Sequence, residues 1–154
     1  MLNILDIIKV DHKHMESLFE KIEKTTERTL KTRDEAFQEL LSELESHSFA
    51  EERILYQAII TKKPSRRLVL ESIEEHLLMQ SLLESLRKLN NYDERWMAQI
   101  AVLKSIFLTH TAREERDLFT KARGIFNARE LVDLGVKMRE MKSSSSNPLY
   151  KQGA

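Results

Sequence analysis

His47-Ser48-Phe49-Ala50-Glu51-Glu52-Arg53-Ile54-Leu55-Tyr56 is written a second time in this chain, as His110-Thr111-Ala112-Arg113-Glu114-Glu115-Arg116-Asp117-Leu118-Phe119. Both copies spell H-x-x-x-E-E-R-x-L-aromatic. A His and a Glu four residues apart share one face of a helix, one turn from each other. Each copy therefore offers an imidazole and a carboxylate side by side. Two such pairs aimed at a common centre form a donor set suited to iron and its neighbours.

Outward from this phrase a second pair appears. Asp11-His12-Lys13-His14-Met15-Glu16-Ser17-Leu18-Phe19-Glu20 parallels Glu75-His76-Leu77-Leu78-Met79-Gln80-Ser81-Leu82-Leu83-Glu84. His12 and His76 are 64 residues apart, and His47 and His110 are 63 apart. A unit of two helices has been laid down twice. Four of the five histidines fall at equivalent places; His14 does not.

Apolar periodicity places the helices. The first is expected from about Asn3 to Arg28, with the stripe Leu5, Ile8, His12, Met15, Phe19, Ile22. The second is expected after Thr32, capped by a Thr32–Glu35 box, and ends before Pro64. Its stripe is Phe37, Leu40, Leu44, His47, Glu51, Ile54, Ala58. The third runs from Ser65 to Asn90-Asn91 through Val69, Ile73, His76, Gln80, Leu83 and Leu86. The fourth starts near Asp93 and carries Trp96, Ile100, Leu103, Phe107, His110 and Glu114, with Leu118 on the shoulder. Asn127 and Glu130 form a second capping box, opening a short fifth helix through Leu131, Leu134, Met138 and Met141.

The fold class is all-α: an antiparallel up-down-up-down four-helix bundle with a short fifth helix and a flexible C-terminal tail. The bundle and fifth helix occupy residues 1–142, and the serine-rich tail occupies 143–154. At about 1.5 Å of rise per residue, counting from each connection brings the four histidines to one height within about a turn.

Composition narrows the class. With 154 residues, 41% apolar and 32% charged, but only three Gly and two Pro, the chain suits one helical domain. Lys plus Arg equals Asp plus Glu at 25 each, so no net field favours nucleic acid or a membrane surface. The absence of cysteine excludes disulfides, thiol chemistry and Cys-ligated clusters. Residues 1–10 are broken by Asp6 and Lys9, wrong for a signal-peptide core, and no apolar run approaches a membrane span. A cytoplasmic location is the default expectation.

A lone His in an apolar stripe is ordinarily a hydrogen-bonded core residue. Four at one level, with two buried carboxylates one turn on, are another matter. Unpaired ionised groups in a core cost several kcal/mol or shift their pKa until neutral, and no basic residue lies in these stripes. Bound cations supply the missing charge. Four nitrogens and two carboxylates suit two metals; if each carboxylate bridges, each metal receives two His and two Glu oxygens and keeps open positions. Iron is favoured, with manganese or zinc as alternatives.

On these motifs the chain resembles the hemerythrin-like HHE cation-binding family over about residues 5–120. The resemblance implies a four-helix bundle holding two iron ions as a non-haem di-iron centre. It implies His12, His47, His76 and His110 as terminal ligands, and Glu51 and Glu114 as bridging carboxylates. Ferritin-like bundles use Glu-x-x-His instead. Oxygen carriers of the family place a further His one turn after the third-helix His, where this chain has an inward Gln80. They also place an Asp five residues past the last His, which is Glu115 here; the internal repeat selects Glu114.

Gln80, Glu16 and Tyr56 are candidates for the ligand pocket: Gln80 beside an open metal position, Glu16 as an extra ligand or proton-handling group, Tyr56 as a donor to a bound small molecule. His14 belongs on the surface. Met15, Met79 and Phe119 belong to the core, and Glu52, Arg53, Glu115 and Arg116 to solvated or surface-paired positions. The resemblance implies binding of dioxygen or a related small ligand (nitric oxide, peroxide), with an unidentified electron donor. The absence of that further His favours sensing, scavenging or redox conversion over reversible carriage. Iron handling such as iron–sulfur cluster repair, or a metal-stabilised interaction module, are the alternatives. The oligomeric state is monomer or homodimer.

Overall fold

The computed structural model describes residues 1–144, so the expected tail lies almost wholly outside the described residues. Helix α1 is Ile4–Glu23; α2 is Leu30–Glu51, continued through Glu52–Tyr56 and Gln57–Ile59; α3 is Lys63–Lys88. Helix α4 is Glu94–Arg113, continued through Glu114–Leu118 and Phe119–Ile125, and α5 is Ala128–Ser143. Short connections make successive helices antiparallel, and α1–α4 form the expected bundle. None of these helices is long and apolar enough to cross a membrane.

The ends have local causes. Asn3 and Asp6 form a reciprocal capping box that starts α1, and Asn127 with Glu130 does the same for α5. Pro64 sits in the first turn of α3, where its missing N–H costs nothing. The start of α2 differs from expectation. Thr32 is inside the helix, whose N-cap is Thr29 without a side-chain cap bond. Helix α1 also stops five residues early, and the buried Arg33 explains both. Its guanidinium donates to the Thr25 hydroxyl (2.8 Å) and carbonyl (3.2 Å) and to the Asn91 carbonyl (2.6 Å). Three chain segments are thereby tied at one end of the bundle, 5.8 Å from the Trp96 ring.

Two π-helical turns, Glu52–Tyr56 and Glu114–Leu118, occupy places in the two copies that match to within one residue. A π turn bonds i to i+5, so residues five apart come to share a face. The inward stripe of α2 after Glu51 therefore passes through Leu55, Tyr56 and Ile59, not Ile54 and Ala58. In α4 the same shift buries Leu118 and Phe119.

The core is two apolar blocks. One is built around Phe19, Phe37, Leu40, Leu83, Trp96, Ile100 and Phe107, the other around Ile4, Ile8, Leu55, Ile59, Val69 and Phe119. Between them lies a polar layer. Helix α5 packs on α1 and α2, with Leu131 and Met138 in the second block.

Gly135 marks the closest approach of α5 to α1. A Cβ there would lie 3.0 Å from the Ile4 backbone nitrogen and 3.1 Å from the Asn3 carbonyl carbon. Alanine gains about 1 kcal/mol of helix propensity, but forcing apart two packed backbones costs about 1–3 kcal/mol. Gly135→Ala is expected to lower the unfolding free energy by about 1 kcal/mol in urea titration, although Ala is the better helix former.

Candidate metal centre

The polar layer consists of His12 from α1, His47 and Glu51 from α2, His76 from α3, and His110 and Glu114 from α4. All six are at most 5% exposed, so their charges cannot be settled by water. The His12 and His47 rings lie 5.0 Å apart and the His76 and His110 rings 4.7 Å apart. Inward ring nitrogens surround the two carboxylates. His12 Nε2 is 3.3 Å from Glu114 Oε2, and His47 Nε2 and His76 Nε2 are 3.5 and 3.4 Å from Glu51 Oε2. His110 Nε2 is 3.7 Å from Glu114 Oε2 and 3.1 Å from His76 Nε2.

The outward nitrogens meet a second ring of carboxylates. His12 Nδ1 is 2.9 Å from Glu115, His47 Nδ1 3.0 Å from Asp11, and His76 Nδ1 2.7 Å from Glu52. The fourth, Glu75, stands 3.7 Å from His110 Nδ1 and is held by Arg113. An ionised carboxylate can only accept, so at His12, His47 and His76 it favours the proton on Nδ1 and a free lone pair on inward Nε2. Glu52 and Glu115 are thus part-exposed and paired near the bundle surface, as the sequence suggests, and the partner of each is an imidazole of the layer. The signal was present: each copy keeps an acid directly before its first His and a second Glu after its inward one.

Several inward atoms have nothing to bond. Nε2 of His12 and of His47, Oε1 of Glu51 and Oε2 of Glu114 are buried without a hydrogen-bond partner. Such groups cost free energy unless a proton or cation joins them. Two sets of donor atoms lie within 4.8 Å of one another: His12, His47, Glu51 and Glu114, and Glu51, His76 and His110. Glu51 belongs to both. Asp11 pairs with Lys142 of α5 (2.6 Å) and Glu75 with Arg113. Among the described residues, Glu51, Glu114, Glu52 and Glu115 have only histidines as charged partners. Four such carboxylates match the charge of two divalent cations.

Without a cation the layer must share protons. Burial, reinforced by the charge of Glu114, raises the Glu51 carboxyl well above its ordinary range. Burial acts on Glu114 in the same sense, but His12, His110 and His47 outweigh it and hold Glu114 low. Burial would depress His12; Glu114, Glu51 and Glu115 overcome it and lift the imidazole to about 9. His47 goes down to about 4, because burial and the charge of His12 exceed the help of Asp11. Burial lowers His110 as well. Protons on Glu51 and His12 would then supply part of the positive charge that cations otherwise bring.

Of the pocket candidates, Tyr56 enters the layer. The π turn brings it beneath Glu51, and its hydroxyl lies 2.8 Å from Glu114 Oε1 and 3.1 Å from Glu51 Oε2. Its ring stacks on His76 at 5.5 Å. Gln80 does not point inward: it is exposed, on a groove that reaches His76. Glu16 is half-buried and outside both donor sets. In each case the next inward step of the helix falls on a methionine, Met79 or Met15, which turns the glutamine or glutamate to the edge. His14 is exposed and pairs with Glu39.

The family model described as the hemerythrin HHE cation binding domain matches residues 3–122. Among solved structures, the chain is similar to a hemerythrin HHE cation binding domain-containing protein from Mycobacterium kansasii. The TM-score is 0.82 at 23% identity, over 100% of this chain and 96% of that one, a likeness of fold. No curated protein matches the chain.

A cation that joins the orphaned donors must stabilise the fold by mass action. At 1,000-fold excess over its dissociation constant this is about 4 kcal/mol, or a rise in Tm on the order of 10 °C. Scanning calorimetry of metal-free protein with and without added ferrous or zinc salt is expected to show that rise, and His47→Ala to abolish most of it.

Proposed function

The chain belongs to the hemerythrin HHE cation-binding family, and on that premise we propose that it holds two iron ions and binds dioxygen, nitric oxide or peroxide for sensing, scavenging or redox conversion. The observation that carries this reading is the polarity of the histidines. Carboxylates engage the outward face of three imidazoles, and the inward faces converge on two carboxylates with buried, unbonded atoms. His12 and His47 would be terminal ligands of one ion, His76 and His110 of the other, with Glu51 and Glu114 between them. Bound ferrous ions supply electrons and open coordination positions for a small oxidant or diatomic ligand.

The protein's own groups then have definite tasks. Outer carboxylates Asp11, Glu52 and Glu115 fix the tautomer and the orientation of the imidazoles they face. The Tyr56 hydroxyl restrains the carboxylate oxygens it faces, so they cannot swing away from the histidines. The apolar blocks on both sides keep bulk water from the layer and strengthen each electrostatic contact inside it. Gln80, exposed where carriers have their further His, supplies no inward donor. This supports ligand conversion or sensing over simple carriage, with electrons supplied by a separate partner.

Protein purified without added metal is expected to carry about two irons per chain, with the absorption of an oxo-bridged ferric pair. Its reduced form is expected to give ligand complexes or accelerated decay on stopped-flow mixing with oxygen, nitric oxide or peroxide. A zinc-filled, redox-silent protein would overturn the reading. Glu52→Gln and Glu115→Gln, which exchange an anion for a neutral amide at His76 and His12, are each expected to weaken metal binding about 10–100-fold in chelator competition.

A further inference from the structure

The two halves of the layer are related by the internal repeat, yet the side chains that flank them differ. A cavity of about 230 Å³ opens between α2 and α3 and ends on His76 and Glu52. Leu44 and Leu83 form its floor, both almost fully buried, while Ser48 and Leu77 line its sides. Translated through the repeat, the same positions on the other half are Phe107 for Leu44 and Phe19 for Leu83. Those two rings fill the space. Their centroids are 5.3 Å apart, and Phe107 stands edge-on to His12 at 6.1 Å. Substituting two phenylalanines for two leucines converts an opening into a plug.

Donor number points the same way. The set around His12 and His47 has four donor residues, including both carboxylates, whereas the set around His76 and His110 has three. The half with fewer protein donors is the half whose His76 lines the groove.

We infer that a small neutral ligand reaches the centre through the α2–α3 groove and binds on the His76–His110 side, while the Phe19–Phe107 pair closes the His12–His47 side. The neutrality follows from the lining: Glu45 and Glu52 both face the groove, so an anion would meet like charge on entry. This inference rests on the di-iron reading.

The test is the association rate of nitric oxide with the reduced, iron-loaded full chain, followed by its optical and electron paramagnetic signals. Iron content is measured first. Absence of iron overturns the di-iron reading itself and this inference with it. With iron present, Ser48→Phe is expected to slow association about tenfold or more without changing iron content. Leu77→Trp, at a rim position 53% exposed and so safe for folding, is expected to slow it in the same direction and decides the matter if Ser48→Phe does not fold. Lys13→Trp, the repeat equivalent of Leu77 on the other half, is expected to leave the rate within about twofold of the parent. Unchanged rates in the folded groove variants, or an equal slowing by Lys13→Trp, would overturn the inference.

Discussion

The constraint on which this structure turns is the burial of two carboxylates among four imidazoles at mid-height of a helical bundle. Such a layer interrupts the apolar core and divides it into two blocks. Each ring nitrogen and carboxylate oxygen withdrawn from water must find a partner or cost free energy. The bundle answers this from outside with Asp11, Glu52, Glu75 and Glu115, on or near the outward ring nitrogens. Toward the centre it leaves unbonded atoms whose geometry suits cations. The outer half of the arrangement is bonded in protein atoms at His12, His47 and His76; the inner half is left with buried, unbonded donors.

Duplication explains how so many polar groups are aligned at once. The acid before each first His faces the second His of its own copy: Asp11 the ring of His47, Glu75 that of His110. The second Glu of each long phrase reaches the first His of the other copy: Glu115 to His12, Glu52 to His76. The copies are thus interlocked: each addresses its second His itself and depends on the other copy for its first. The π turns are part of the same device. A wider turn after Glu51 brings the aromatic residue five positions on, Tyr56, under the inward carboxylate, and Phe119, five positions past Glu114, is likewise buried. Regular α-helix would leave it well around the helix face.

Departures from the repeat carry the individuality of the molecule. Tyr56 has a hydroxyl that Phe119 lacks, and that hydroxyl lies within hydrogen-bond distance of both central carboxylates. Asp11 is held by Lys142, from a helix that has no counterpart in the duplication, while Glu75 is held by Arg113 from within the bundle. Leu44 and Leu83 line a groove at positions where the other half carries Phe107 and Phe19, whose rings pack together. A symmetric scaffold thereby acquires two chemically different sides through changes of a few side-chain atoms.

Local information was enough for the helices, the bundle, the duplicated phrases and the inward direction of His12, His47, Glu51, His76, His110 and Glu114. A period of 3.6 residues fixes which side chains share a face, and that relation holds within one helix without reference to its neighbours. Three things needed the assembled fold. The π turns depend on the contacts they make possible, so an α-helical count ran one residue out of phase beyond Glu51. Arg33 is buried because segments far apart in sequence offer it carbonyl oxygens together, a coincidence no local pattern records. Gln80 and Glu16 sit at the edge of their stripes, and only the packing of Met79 and Met15 against neighbouring helices decides that they turn outward. Periodicity assigns a side chain to a face; whether that face meets solvent, a groove or a second helix depends on residues from elsewhere in the chain.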